Sequence, residues 1–195
     1  WGFFPSASAG WRVSDEPFWD DARSVVNNFK LRFSAGSLGN QQVSNYAYID
    51  KLSIDNRMSY TFDGLALAYY ASVSDPVSAG LTWETITTYD VGIDMSFLNA
   101  RLNLVADYYI RDTKNMLTPS LTLPAVYGAS TPRANSANLR TKGWEIVLSW
   151  NDHGTIAGKP FSYGIQASLG DYKTTITKFN NPNKLISDYY EGMTL

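Results

Sequence analysis

Residues 83–97 read WETITTYDVGIDMSF, and the fold turns on how that string alternates. Its odd positions carry Trp83, Thr85, Thr87, Tyr89, Val91, Ile93, Met95 and Phe97, while the even ones include Glu84, Thr88, Asp90, Gly92, Asp94 and Ser96. Successive side chains of an extended chain point to opposite sides. The stretch therefore predicts a strand with one apolar face and one acidic, polar face. After Leu98, Asn99 and Ala100 the pattern resumes, with Leu102, Leu104, Ala106, Tyr108 and Ile110 set against Arg101, Asn103, Asp107 and Arg111. Two such runs joined by so short a turn are a β-hairpin.

The same grammar recurs on both sides of this hairpin. Trp144, Ile146, Leu148 and Trp150 oppose Glu145, Ser149 and Asn151, and Phe161, Tyr163, Ile165, Ala167 and Leu169 oppose Ser162, Gln166 and Ser168. These runs predict a second hairpin joined through residues 153–159. Nearer the start, Ala7, Ala9 and Trp11 oppose Ser6, Ser8 and Arg12, and Leu31, Phe33 and Ala35 oppose Lys30, Arg32 and Ser34. About six strands result. Between them, Pro17, Phe18, Trp19, Ala22, Val25, Val26 and Phe29 recur at three-to-four spacing, which predicts a short amphipathic turn over Ser14–Asn28 at one rim.

The connections are unequal in an ordered way. Leu98–Ala100 is short, whereas Leu38–Thr82 and Thr113–Thr141 are long and rich in Asn, Ser, Pro and Tyr. Followed strand by strand, the long connections share one side and the short ones the other. That asymmetry belongs to outer-membrane barrels, with short periplasmic turns and long extracellular loops. Trp11, Trp83, Trp144 and Trp150 fall at or near strand ends, where an amphipathic ring suits a membrane interface. Six strands leave two open edges, and open edges are not viable in hydrocarbon. The chain is thus expected to be one part, residues 1–195, of a larger barrel.

Composition narrows the remaining classes. The chain is 44% hydrophobic and 14% aromatic, yet no run approaches the roughly 20 apolar residues of a membrane helix. A net charge of -2 without any Arg/Lys block offers no surface for a nucleic-acid backbone. The absence of cysteine removes disulfides, thiolate metal sites and cysteine nucleophiles together. Trp1–Pro5 has neither a positive nor an apolar leader segment, so no signal peptide is expected within the chain.

Chemical motifs are sparse. His153 is the only histidine and reads as a solvated turn residue beside Asp152 and Gly154, short of a metal-ligand set. No G-x-S-x-G elbow occurs. Glu84, Asp90, Asp94 and Asp107 could suggest the paired carboxylates of a glycosidase, but they alternate with apolar residues and interleave with Arg101 and Arg111. That arrangement predicts the charge-balanced lining of a water-filled lumen. Gly36 and Gly39 are followed by no Lys-Ser or Lys-Thr and form no phosphate loop. No catalytic, cofactor or metal residue is therefore expected. Tyr46, Tyr48, Tyr69 and Tyr70 in the first long connection, and Tyr127 in the second, offer flat faces and hydroxyls suited to sugars, and are the weak candidates for substrate binding. The competing readings are a soluble all-β carbohydrate-binding module and a β-sandwich glycosidase.

Five strings in order, GFFPSASAGWR (2–12), KLRFSAGSLGNQ (30–41), LTWETITT (81–88), ADYYIRDTKNML (106–117) and KGWE (142–145), resemble the SusC/RagA family of TonB-dependent outer-membrane transporters of Bacteroidetes. Past Leu169 the likeness loosens, at Gly170, Asp171 and Tyr172. The resemblance implies a piece of the C-terminal half of a barrel of about 22 strands, with the plug, TonB-contacting segment and signal peptide outside the chain. By the same resemblance the function is import of oligosaccharides, or of peptides, without cofactor or covalent chemistry. The partners it implies are outer-membrane lipid, a SusD-like surface lipoprotein and the TonB complex acting through the plug. Asp188–Leu195 is expected to open a further extracellular loop.

Overall fold

The computed structural model describes residues 2–41, 49, 51–55, 61–62, 66–67, 70–73, 77–78, 80–119, 126, 132–181 and 189–195. Among these residues ten strands form: β1 (Ser6–Arg12), β2 (Val26–Asn40), β3 (Leu52–Asp55), β4 (Thr61–Phe62), β5 (Ala66–Leu67), β6 (Tyr70–Val73), β7 (Glu84–Phe97), β8 (Leu102–Pro119), β9 (Arg133–Ile156) and β10 (Lys159–Lys178). Six of them make one antiparallel sheet in the order β1-β2-β7-β8-β9-β10. These are the six that alternation predicts. The short strands β3 with β6 and β4 with β5 pair separately inside the first long connection, where no strand is predicted.

The near-side turns are built from residues that tolerate left-handed backbone. Between β9 and β10 only Ala157 (φ 53) and Gly158 (φ 75) turn the chain, the geometry of a two-residue hairpin that follows the sheet's twist. Residues 153–159 are thus not a connecting loop: His153 lies in β9 opposite Ser162, and pairing runs on to Ile156 opposite Lys159. Between β7 and β8, Leu98, Asn99 and Ala100 all have positive φ, which costs residues with a side chain. Asn27 offsets that cost. A bulge in the β2–β7 ladder between Val26 and Asn28 leaves Asn27 out of register, and its Oδ1 accepts the backbone N–H of Asn99 (2.6 Å) and of Ala100 (3.3 Å).

The third near-side connection, where a short amphipathic turn is expected, holds two 3-10 turns, Val13–Asp15 and Pro17–Trp19. Pro17 fixes the backbone at the start of the second turn. Trp19 stacks obliquely on Phe29 (5.2 Å between centroids), and Trp11 meets Phe18 edge to face (6.5 Å). The Trp11 indole N–H donates to Glu16 (2.9 Å), and the Arg23 guanidinium donates to the Ser14 carbonyl (2.7 Å).

On the far side β8 and β9 continue to Pro119 and from Arg133, so much of the expected loop Thr113–Thr141 is strand. At the end of the chain, Gly192–Leu195 lies antiparallel along the edge of β10, the Leu195 N–H donating to Thr174 O (3.0 Å) and the Ile176 N–H to Met193 O (2.9 Å).

Register sorts the side chains onto two faces. One carries Phe29, Leu31 and Phe33, then Val91, Ile93 and Met95, Leu104, Ala106 and Tyr108, Ile146 and Leu148, and Ile165 and Leu169. Nothing covers it among the described residues: Leu148 is 44% and Ile165 68% exposed, and no side chain there is fully buried. A contiguous bare apolar surface of this size is not viable in water. A soluble module or sandwich would need a second layer packed on this face.

Candidate functional site on the polar face of the sheet

The apolar band has measurable bounds. On β7 it runs from Tyr89 to Phe97 and on β10 from Phe161 to Leu169, about nine residues each, matching the 9–11 that a tilted strand needs to cross a bilayer. Its far boundary falls in one register row at Ala35, Tyr89 and Ile110, two residues nearer the short turns at Trp144 on β9, and two nearer again at Leu169 on β10. That is four residues over the four steps from β2 to β10. With about 3.3 Å per residue and 4.8 Å between strands, the slope is about 35°, within the tilt of membrane barrels.

The opposite face is polar along the band and past its far edge. Here Lys30, Arg32 and Ser34 of β2 lie beside Glu84, Thr88, Asp90 and Asp94 of β7, Asp107, Tyr109 and Arg111 of β8, and Glu145 of β9. Arg32 ties three strands together. Its Nε donates to Asp94 on β7 (3.0 Å), and its Nη2 reaches across β7 to Asp107 on β8 (2.8 Å). The residue it crosses is Gly92, in register with both Arg32 and Asp107. A Cβ at Gly92 would stand 2.7 Å from Arg32 Nη2 and would strike the Asp107 carboxylate. Gly143 does the same for Tyr109, whose ring lies over it, and Arg111 stacks on that ring at 5.6 Å.

Of the residues that the sequence marks for this face, Asp94 and Asp107 share one guanidinium, Asp90 lies one register row above Arg32, and Glu84 opposite Asn40 begins β7. Arg101 stands apart, in the turn before β8, where it pairs with Asp152 (3.3 Å). Arg32 was missing from that set, although the alternation of β2 placed it on the polar side. Tyr46, Tyr48, Tyr69 and Tyr127 lie outside the described residues. The backbone of Tyr70 is described, in β6 opposite Asp55. Among the described residues no three His, Cys, Asp or Glu side chains group so as to hold a metal ion.

A tilted antiparallel sheet, bare and apolar on one face, polar on the other, with tight turns at one rim and long strands at the other, is a segment of a transmembrane β-barrel. Comparison with known proteins gives the family. The model of the TonB-dependent receptor-like β-barrel matches residues 1–191, and the chain belongs to that family. It is 30% identical over 195 residues to the TonB-dependent receptor SusC of Bacteroides thetaiotaomicron, covering 97% of this chain and 18% of the relative. It is 27% identical over 184 residues to the TonB-dependent receptor P26 of Formosa agariphila, covering 94% of this chain and 17% of the relative. The chain therefore spans less than a fifth of the curated relatives that it matches. In fold it resembles the RagAB peptide transporter (TM-score 0.74, 22% identity, 91% of this chain and 18% of that one) and the RagAB peptide importer in its closed-closed state (TM-score 0.77, 22% identity, 92% and 18%).

Proposed function

We propose that this chain is wall and extracellular connections of a TonB-dependent, SusC-like importer in the outer membrane, carrying an oligosaccharide or a peptide into the periplasm without covalent chemistry. The observation that carries the reading is the two-faced sheet. A band about nine residues deep is shaped to meet lipid, while the facing acids and the Arg32 tie suit a wet interior. In this reading Glu84, Asp90, Asp94, Asp107 and Arg111 face the lumen, with Arg101 at its periplasmic rim. Tyr46, Tyr48, Tyr69, Tyr70 and Tyr127 are candidate contacts for substrate on the extracellular side. The relatives' names, TonB-dependent receptors, support a TonB complex as the source of energy, and the resemblance to the SusC/RagA family implies a SusD-like surface lipoprotein as partner.

The test uses the full-length protein. It should fractionate with the outer membrane and need detergent for extraction, and loss of its gene should abolish uptake of one class of fluorescent oligosaccharide or peptide. A full-length protein monodisperse without detergent would refute the membrane reading. Undiminished uptake of every oligosaccharide and peptide class would refute the substrate reading.

A further inference from the structure

The two rims of the apolar band place their cations differently. At the near rim three arginines are matched within the chain, Arg12 with Asp15 (3.7 Å), Arg23 with Asp20 (3.2 Å) and Arg101 with Asp152 (3.3 Å), and Lys159 stands singly opposite Ile156. At the far rim, on the apolar side of the sheet, Lys114, Lys142 and Lys173 have no salt bridge among the described residues, and the last two face each other. Lys142 of β9 and Lys173 of β10 are directly opposite in register and both exposed, Lys142 two residues beyond the band edge at Trp144 and Lys173 four beyond the edge at Leu169. Like charges placed directly opposite on neighbouring strands destabilise a sheet. The acids close by are already engaged. Asp112 is held by Arg140 through two hydrogen bonds (2.6 and 2.8 Å), and Asp171 Oδ1 accepts the Tyr172 backbone N–H (2.8 Å). Neither lysine has a salt bridge among the described residues, and Arg140, two residues beyond Lys142 on the same face, is itself paired with Asp112.

We infer that Lys142 and Lys173 form a docking site for the net-anionic, phosphate-bearing headgroup of a lipid in the leaflet on the long-strand side, its acyl chains lying along the band beneath. Three features select a lipid over a soluble anion. The pair lies on the apolar face, continuous with that face. Trp144, an interfacial ring, stands between the pair and the band. The long side chains can also lay their methylenes on apolar surface while holding the charge at headgroup level. Two facing ammonium groups suit a headgroup with more than one phosphate. This inference rests on the membrane reading above.

The experiment uses the full-length protein in a non-ionic detergent, offered diphosphoryl lipid A as probe, with retained lipid counted by native mass spectrometry. The wild type should retain the probe, and retention should survive millimolar inorganic phosphate. Lys142→Gln with Lys173→Gln should weaken it roughly twenty-fold, at the scale of two headgroup-facing cations. Lys142→Arg with Lys173→Arg should keep it, and Lys159→Gln at the opposite rim should change nothing. The inference is overturned if the double glutamine variant binds as the wild type does, if phosphatidylcholine is retained equally well, or if inorganic phosphate strips the lipid. Failure of the membrane reading is a separate result, since the protein would then stay monodisperse without detergent.

Discussion

Replacing Gly92 by alanine should destabilise the barrel even though the same change ordinarily stiffens a strand in its favour. Gly→Ala at a compatible position gains about 0.4–1 kcal/mol, chiefly by restricting the unfolded chain. At Gly92 the new methyl would occupy the space through which Arg32 reaches Asp107, so the guanidinium must withdraw from one or both carboxylates. Arg32, Asp94 and Asp107 are 33%, 28% and 24% exposed, neither dry nor fully wet. Hydrogen bonds to charged groups contribute about 1.5–3 kcal/mol and exposed pairs about 0–1. Two partly wet contacts are then worth about 2 kcal/mol together, and the net cost of Gly92→Ala should be about 1–1.5 kcal/mol. Arg32→Met should cost about 2 kcal/mol outright. The decisive measurement is the double variant, by guanidinium unfolding of the full-length protein in detergent followed by tryptophan fluorescence. With Arg32 gone the Asp107 carboxylate can swing aside, so adding Gly92→Ala to Arg32→Met should be neutral or slightly stabilising. Equal losses from Gly92→Ala in both backgrounds would show that the glycine serves something other than the tie.

Three further outcomes follow from the same geometry. Leu104→Arg, at the middle of the bare face, should cost about 2–4 kcal/mol of stability in lipid, whereas Val105→Arg one residue on should cost far less; similar folding yields in vesicles for the two would contradict the assignment of faces. Asn27→Ala leaves the N–H groups of Asn99 and Ala100 to water and should cost about 1 kcal/mol, recovered in part by adding Asn99→Gly, which relaxes a positive-φ position; thermal unfolding of the three proteins decides it. Asn135 holds Thr82 by two hydrogen bonds (2.8 and 3.0 Å) and Asn115 by a third (2.6 Å), so Asn135→Ala should speed amide exchange around Thr82 and leave β10 unchanged.

What could be read from the sequence follows from where solvent changes. All six strands of the main sheet announce themselves because one face meets an apolar medium, which forces alternation at positions such as Tyr89–Phe97 and Leu102–Ile110. Beyond the band both faces are wet and alternation has no cause. Thr113–Pro119 and Arg133–Thr141 therefore read as loop, yet their backbones stay paired. The β9–β10 turn was set too early for the same reason, since Asp152, His153 and Gly154 are polar but remain in register with Tyr163, Ser162 and Phe161. On the polar face alternation located Asp94 and Asp107, but not the residue joining them. That required knowing that β2 and β7 are neighbours in space, although Arg32 and Asp94 stand 62 residues apart.

The length of the strands bears on how such a wall could work. β9 extends for about 80 Å at 3.3 Å per residue, far more than a band of about nine residues requires, so a large part of it stands clear of the membrane. There polar ties join the strands, Arg140 with Asp112, the Thr141 and Thr174 hydroxyls (2.9 Å) and the Asn135 amide, beside the buried Ala137 and Ile176. Hydrogen-bonding Arg140 holds the Asp112 carboxyl below the usual carboxylate range. A carboxylate with a depressed folded-state pKa stabilises the fold above its unfolded pKa and loses that contribution as pH falls through the folded value. Acid should therefore loosen the projecting part of β8 and β9 while the band, held by apolar burial in lipid, keeps its structure. Amide exchange compared at neutral and strongly acidic pH measures this directly. Protection should fall around Asp112 and Arg140 and persist at Ile93 and Ala106, and Asp112→Asn should show the low protection already at neutral pH. Uniform loss along β8 would mean that the projecting strands and the band unfold as one unit.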